Sequence, residues 1–262
     1  MKRIMLLVLL LVPPAAASQV RIAGSADVGY VLTVDGAEVF VKGVCGGATA
    51  DDTPGRATVG EAARRGANAF RTYSSDSTAV ARAVAAASRN GVYLMVGISL
   101  PKNPERYRNE EFKSRMRMQC AALAERYADD RNIIAWALGN ELNMGAGIGD
   151  EGWRFVEELA ALFKSRDNRH LTCTVLSSAR AVAETERLCP SLDFVGINSY
   201  GAVGGVERML REMGYDGAYM ITEWGPTGWW ERPKTSWGAP IEQTSAQKST
   251  VIERRYRECI LA

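Results

Sequence analysis

From residue 30 onward, short apolar runs alternate with longer segments in which apolar residues recur every three or four positions. Short continuous apolar runs are typical of strands buried on both faces, and the wider spacing is typical of amphipathic helices. The pattern predicts seven strands, at residues 39–43, 69–73, 92–98, 133–138, 171–176, 194–198 and 218–222. It predicts helices at residues 59–65, 77–90, 110–127, 152–166, 180–188, 206–213 and 245–260.

Glycines and turn residues support this division of the chain. Gly66 and Gly91 follow predicted helices at the position where a left-handed cap is expected. Two β-rich runs flank Asp35-Gly36, which predicts an N-terminal β-hairpin. Repeated strand–helix units predict an α/β fold with a parallel sheet. No Gly-x-Gly-x-x-Gly motif follows the first strand, and its absence favours a barrel over an open nucleotide-binding sheet.

The number of predicted strands is one short of a standard barrel. A (β/α)8 TIM barrel closes with eight strands, whereas this pattern gives seven and then a helix over residues 245–260. We therefore expect an α/β fold of the (β/α)8 TIM-barrel type, truncated before strand 8, with an N-terminal β-hairpin. Unpaired edge strands invite pairing with another chain, so we expect self-association through the open barrel edge.

The first residues resemble an export signal. Lys2 and Arg3 precede nine apolar residues, and small residues occupy positions 15–18. This arrangement predicts a signal peptide over residues 1–18, followed by one catalytic domain over residues 19–262 of a secreted or periplasmic protein. Nine apolar residues are too few to cross a hydrocarbon core of about 30 Å. No later segment reaches 18 uninterrupted apolar residues, so we expect no membrane association after cleavage.

Composition excludes several kinds of chemistry. The 32 Lys and Arg residues nearly balance the 30 Asp and Glu residues, without long runs of one sign, so we expect no nucleic-acid partner. The single histidine, His170, directly precedes the fifth strand and therefore lies at the bottom of the barrel. A serine triad or a histidine-ligated zinc site is excluded, and we expect no metal and no cofactor. No disulfide pairing is predicted, and Cys45 and Cys173, inside apolar runs, are expected to be buried.

Two strand ends carry acidic residues. The fourth strand is followed by Gly139-Asn140-Glu141, and the seventh by Glu223-Trp224-Gly225. In a parallel barrel the carboxyl ends of the strands meet at one rim, where active sites lie. Two carboxylates across a cleft suit glycosidic cleavage, in which one protonates the leaving oxygen and the other attacks the anomeric carbon. We therefore predict that Glu141 and Glu223 are catalytic.

These motifs together resemble those of retaining clan A glycoside hydrolases, and most closely the TIM-barrel catalytic domain of glycoside hydrolase family 2. Residues 34–44, with Val-Asp-Gly and Val-Lys-Gly-Val, and residues 66–73 carry the closer likeness. The resemblance covers residues 30–260, and it implies hydrolysis of O-glycosidic bonds in β-linked carbohydrates by double displacement. Glu141 would be the acid/base and Glu223 the nucleophile.

The same resemblance implies roles for residues that bind the substrate. Asn140 would hydrogen-bond the sugar 2-hydroxyl. Arg71, at the end of the second strand, would lie near Glu223 and favour its carboxylate form, and Tyr200 would donate to Glu223 and orient it. Asn198 would assist them.

Aromatic residues suggest further contacts with an oligo- or polysaccharide. Trp224 and Trp229 belong to a cluster after the seventh strand, and such rings either stack on sugars or pack the loop on itself. Clan members also carry an aromatic residue at the end of strand 8, which the predicted pattern lacks. Two alternatives therefore stay open: a β-glucan transglycosylase, because residues 71–74 resemble β-1,3-glucan transferases, and an inactive carbohydrate-binding remnant. The sequence selects no sugar and no linkage.

Overall fold

The core of the protein is a sheet of seven parallel strands connected by helices. The computed structural model describes residues 19–46 and 58–259, so the predicted signal peptide lies outside the described residues. The strands are β1 Val20–Ser25, β2 Gly29–Val34, β3 Ala37–Glu38, β4 Gly43–Cys45, β5 Ala69–Arg71, β6 Tyr93–Ile98, β7 Ile133–Asn140, β8 Leu171–Leu176, β9 Phe194–Ser199 and β10 Tyr219–Trp224. The helices are α1 Val59–Arg64, α2 Ser77–Asn90, α3 Glu110–Tyr127, α4 Gly149–Arg166, α5 Val182–Leu188, α6 Val206–Glu212 and α7 Ser245–Cys259.

The seven parallel strands follow one another around a nearly closed barrel. They pair in sequence order from β4 to β10, which leaves β4 and β10 at the two edges. At the carboxyl-terminal rim these edges approach each other, because the Cys45 thiol on β4 donates to the Thr222 carbonyl on β10 at 3.2 Å. The predicted α/β fold of the TIM-barrel type is therefore confirmed, with seven strands in the described part of the chain.

The N-terminal hairpin covers the opposite end of the barrel. β2 pairs with β3 around Asp35 and Gly36, whose φ angles of 52° and 81° both lie in the left-handed region. Such angles match the twist of a tight hairpin turn, so the predicted hairpin is confirmed. β1 adds a third antiparallel strand that the sequence pattern did not predict. The Val20 amide donates to the Arg169 carbonyl at 3.0 Å, which ties this sheet to the barrel.

Apolar side chains pack on both sides of the barrel wall. Trp136 and Leu138 on β7 point toward the helices, where Trp136 stacks on Phe163 of α4 at 4.7 Å between ring centroids. Ala137 and Cys173 belong to a second buried cluster, formed with the hairpin residues Val20 and Val34. Small side chains suit the narrow interior of a barrel, in which residues from neighbouring strands meet.

Two predictions about the first barrel strand are wrong. The strand lies at Gly43–Cys45 rather than at residues 39–43, because the hairpin takes Ala37–Glu38 for pairing with β2. Cys45 therefore lies at the end of its strand, where it is exposed instead of buried. Cys173 is fully buried within β8, as predicted. Within residues 19–46 and 58–259, no helix is long and apolar enough to cross a membrane.

His170 is a structural residue at the bottom of the barrel, as the sequence indicates. Its ring is buried, with Nδ1 2.7 Å from Asp167 Oδ2 and Nε2 2.7 Å from the Asp130 carbonyl. The Trp136 indole also donates to Asp167, at 2.7 Å. Burial opposes the ionisation of Asp167, but the bonds from His170 and Trp136 outweigh it and hold the pKa of this carboxyl below its usual value.

Candidate active site

Glu141 and Glu223 both lie at the carboxyl-terminal rim of the barrel. Glu141 directly follows β7, and Glu223 is the penultimate residue of β10. Their side chains are largely shielded, with 20% and 12% of their surface exposed. The two carboxylates therefore lie at the same rim of the barrel, as expected from their positions at strand ends.

The backbone around Glu141 is held in an unusual conformation. Glu141 has a φ of 54°, in the left-handed region that side-chain-bearing residues rarely adopt, and Gly139 has a φ of 81°. A Cβ at Gly139 would lie 2.4 Å from a methyl group of Leu142, so only glycine fits there. The Glu141 amide donates to the Val175 carbonyl at 2.7 Å, which anchors the turn to β8. Backbone strain of this kind costs about 1–3 kcal/mol and concentrates at functional sites.

Three donors surround the Glu223 carboxylate. Arg71 Nη1 donates to Oε1 at 2.8 Å, and the Tyr73 hydroxyl donates to the same oxygen at 2.7 Å. The Tyr200 hydroxyl donates to Oε2 at 2.5 Å. The side chain of Arg71 is 6% exposed, so it forms this ion pair away from solvent. An ionised carboxylate only accepts hydrogen bonds, and these partners supply three charge-assisted donors.

Both tyrosines remain donors across the physiological pH range. Burial raises the pKa of Tyr73 well above its usual value. Burial and the hydrogen bond to Glu223 likewise raise the pKa of Tyr200. Each phenol therefore keeps its proton and directs it at Glu223.

A chain of hydrogen bonds connects the two glutamates. Arg71 Nη2 donates to Asn140 Oδ1 at 2.8 Å, and Asn198 Nδ2 donates to the same oxygen at 3.3 Å. Asn198 Nδ2 also donates to Glu141 Oε1 at 3.0 Å. The Thr222 hydroxyl donates to Asn198 Oδ1 at 2.9 Å and so fixes the orientation of the amide. Arg71, Asn140 and Asn198 are thus brought together with both glutamates.

Two residues of the site were not predicted. Tyr73 lies two residues beyond Arg71, and both side chains face the same way, since both donate to Glu223. That spacing is a signal that the sequence already contained. Lys102, in the loop after β6, places Nζ 3.2 Å from Glu141 Oε2 and 3.0 Å from the Met144 sulfur. A lysine in a polar loop carries no pattern that marks it as a site residue.

The predicted tryptophans differ in their surroundings. Trp224 stacks on Tyr256 of α7, with centroids 6.4 Å apart and planes at 19°, so a helix covers one face of its ring. Trp229 is 58% exposed and packs edge-on against Trp230. Trp230 in turn packs edge-on against Tyr200 at 5.4 Å, which joins this aromatic group to a donor of Glu223.

The surroundings of Tyr200 are further fixed by α7. Arg255 Nη1 donates to the Tyr200 carbonyl at 2.6 Å and also to the Gly225 carbonyl. The carboxyl ends of β9 and β10 are therefore held together by one guanidinium group.

No group of three or more His, Cys, Asp or Glu side chains in the described ranges could hold a metal ion.

No family model matches the sequence, and no curated protein matches it. Solved structures do match the fold. A family 2 β-galacturonidase from Eisenbergiella tayi has a TM-score of 0.65 and 16% identity, covering 94% of this chain and 44% of that chain. A β-glucuronidase from Ruminococcus gnavus has a TM-score of 0.65 and 15% identity, covering 92% of this chain and 43% of that chain.

A β-glucuronidase from Dictyoglomus thermophilum is similar in the same way, with a TM-score of 0.63 and 15% identity, covering 90% of this chain and 43% of that chain. The present chain thus spans less than half the length of these structures. At such identities the likeness concerns the fold. The chain has the fold of the glycoside hydrolase family 2 proteins that it matches, in agreement with the resemblance seen in the sequence.

Proposed function

We propose that this protein is a retaining glycoside hydrolase that cleaves β-linked carbohydrates. The observation that carries the proposal is Glu223 itself, a shielded carboxylate held by Arg71, Tyr73 and Tyr200 and connected through hydrogen bonds to Glu141. Donors that fix a carboxylate and stabilise its charge suit a nucleophile. The fold shared with family 2 glycosidases supports the same reaction class.

The reaction would proceed in two steps. Glu223 attacks the anomeric carbon while Glu141 gives its proton to the glycosidic oxygen, and a covalent glycosyl-enzyme forms. Glu141, now a base, takes a proton from water, and the water displaces Glu223 with net retention of configuration. Glu223 leaves as a carboxylate, so Arg71 and the two tyrosines stabilise the charge that returns to it.

Asn140 and Trp229 would bind the substrate. The Asn140 oxygen already accepts from Arg71 and Asn198, so its amide nitrogen is the group that would donate to the sugar 2-hydroxyl. The exposed indole of Trp229 offers a flat apolar face of the kind that stacks on sugar rings. Asn198 would hold the Glu141 carboxylate in position, and Trp224 would extend the aromatic surface beside Glu223.

The similar structures indicate which sugars to test first. They are a β-galacturonidase and β-glucuronidases, so we include uronides in the substrate range proposed for this chain. The signal-like residues 1–18 support export, to the periplasm or beyond the cell.

The edges at β4 and β10 are the surfaces through which copies of the chain would associate.

A substrate screen tests the proposed function. We would assay 4-nitrophenyl β-glucuronide, galacturonide, galactoside, mannoside and glucoside with the wild type and with Glu223→Ala and Glu141→Ala. We expect Glu223→Ala to lose turnover and azide to restore it with inverted configuration. Glu141→Ala should retain activity only on activated leaving groups, since these need little protonation.

A surface carboxylate provides the control. Glu207→Ala, at an exposed position of α6, removes the same group outside the hydrogen-bond network of the site and should leave turnover unchanged. Proton NMR of the first product should show the β-anomer. Full activity of Glu223→Ala, or an inverted first product of the wild type, would contradict the mechanism. Longer products from oligosaccharides would identify a transglycosylase, and sugar binding without turnover would identify a binding remnant.

A further inference from the structure

Lys102 forms the one ion pair in the described residues that involves Glu141. Its ammonium group lies 3.2 Å from Oε2, and 45% of the side chain is exposed. The other oxygen, Oε1, accepts from Asn198 on the inner side of the site. The two oxygens of the proposed acid/base therefore face different surroundings, an amide within the network and a partly exposed cation.

The backbone of Lys102 is firmly held. The preceding Pro101 carbonyl accepts from the hydroxyl of Tyr107, a fully buried side chain, at 2.6 Å. The following residue, Asn103, caps the short helix Pro104–Arg108 by accepting from the Glu105 amide at 3.0 Å. Only the long side chain is free to turn, so the ammonium group can move while its attachment point stays at the rim.

The position of Lys102 determines which part of the substrate it contacts during catalysis. With Oε1 bonded to Asn198, Oε2 is the oxygen of Glu141 that can serve the glycosidic oxygen. The leaving group must then enter beside Lys102. The donors of Glu223 come from Arg71, Tyr73 and Tyr200, so Lys102 adjoins the acid/base and not the nucleophile.

We infer that Lys102 selects acidic leaving groups, those that carry a carboxylate near the glycosidic oxygen. The inference rests on the proposed function and names its substrate class. Such a carboxylate gives the ammonium group a second anion, so that Lys102 turns to the substrate and leaves Oε2 to the glycosidic oxygen. A neutral leaving group offers no such partner and competes with Lys102 for Oε2. The natural substrates are therefore β-glycosides whose sugar on the leaving side is a uronic acid or another carboxylate-bearing unit.

The test compares two leaving groups of the same shape. We would measure kcat/KM for 3-carboxyphenyl and 3-carbamoylphenyl β-glucosides, and for the same pair of β-glucuronides. The 1-thio analogues, which resist hydrolysis, give the dissociation constants by calorimetry without any turnover. The variants are Lys102→Met and Lys102→Arg. Lys113→Met, on the neighbouring helix α3 and paired with Glu110, is the matched control.

We expect the wild type to favour the carboxyphenyl compounds about fivefold, the effect of a well-placed but partly exposed ion pair. Lys102→Met should abolish this preference, because the acidic substrate loses its ion pair and the neutral substrate no longer competes with Lys102 for Oε2. Lys102→Arg and Lys113→Met should keep it. Salt at 0.5 M should reduce the preference, because it screens exposed charges.

Three results would overturn the inference. These are equal preference in the wild type and Lys102→Met, no binding of the thioglycosides, and a Lys102→Met effect that follows the glucuronide rather than the leaving group. Binding with the expected preference but without turnover of any glycoside would support the role of Lys102 and contradict the hydrolase proposal. The two proposals can therefore fail separately.

Discussion

Removing one hydroxyl from the group around Glu223 tests the proposed nucleophile most directly. Tyr73→Phe deletes the donor to Oε1 but leaves Arg71 on the same oxygen and Tyr200 on the other. The phenyl ring keeps its place over the Arg71 guanidinium, which lies 4.6 Å from the ring centroid. The variant therefore changes the electrostatics of the carboxylate with little change in packing.

The expected loss can be estimated from the bond that is removed. A hydrogen bond to a charged group contributes about 1.5–3 kcal/mol. Each factor of ten in rate corresponds to about 1.4 kcal/mol, so kcat/KM should fall by roughly 10- to 150-fold. Tyr200→Phe should produce a loss of the same order. The double variant should lose less than the product of the two, because both donors act on one carboxylate.

The assay is steady-state hydrolysis of the best aryl glycoside from the substrate screen. Tyr215→Phe is a matched control, since Tyr215 is buried and its hydroxyl donates to the Ala218 carbonyl at 2.9 Å, at the start of β10 and far from the rim. It should lower stability by about 1 kcal/mol and leave kcat/KM unchanged. A loss below twofold in both Tyr73→Phe and Tyr200→Phe would refute the role assigned to Glu223 and its donors.

Three other outcomes concern stability and binding. Glu141→Gly relieves the left-handed backbone, so the unfolding free energy in a urea titration should rise by about 1 kcal/mol, while turnover of glycosides with unactivated leaving groups is lost. Asp167→Asn should lower the melting temperature at pH 7. Because the native pKa of Asp167 is depressed, this deficit should shrink as the pH falls from about 4 through the native pKa. Trp229→Ala should raise KM for oligosaccharides severalfold but spare aryl monoglycosides.

The helices could be predicted closely wherever their ends carry a local signal. α2 and α3 begin and end at the predicted residues, because Asp76 and Asn109 cap their first turns and Gly91 ends α2 in the left-handed region. α4 begins three residues before the predicted start, since the glycines of residues 145–149 conceal it. Because these capping signals are local, the local sequence was sufficient to predict where the helices begin and end.

Tertiary pairing determined what the sequence pattern did not show. The first barrel strand is displaced toward its carboxyl end because β3 pairs with β2, a contact that apolar periodicity cannot anticipate. β1 is exposed over most of its length and contains Arg21 and Ser25, so it lacks the continuous apolar run of the barrel strands. In both cases a partner elsewhere in the chain decides the strand boundary.

The residues of the candidate site fall into the same two groups, those that the local sequence identifies and those that only tertiary contacts bring to the site. Glu141, Glu223, Arg71 and Asn198 could be found because they end apolar strands, and parallel strands bring their ends to one rim. Lys102 reaches the site from a loop whose course depends on the buried Tyr107.

Such a contact exists only once the loop is folded, and no spacing in the chain encodes it. Under the proposed function, strand-end residues define the reaction, and the loop residue Lys102 modifies the choice of substrate. That division matches the general behaviour of barrels, in which a rigid sheet fixes the chemistry while the loops above it vary. It also explains why a reaction class could be proposed from the sequence when the sugar could not.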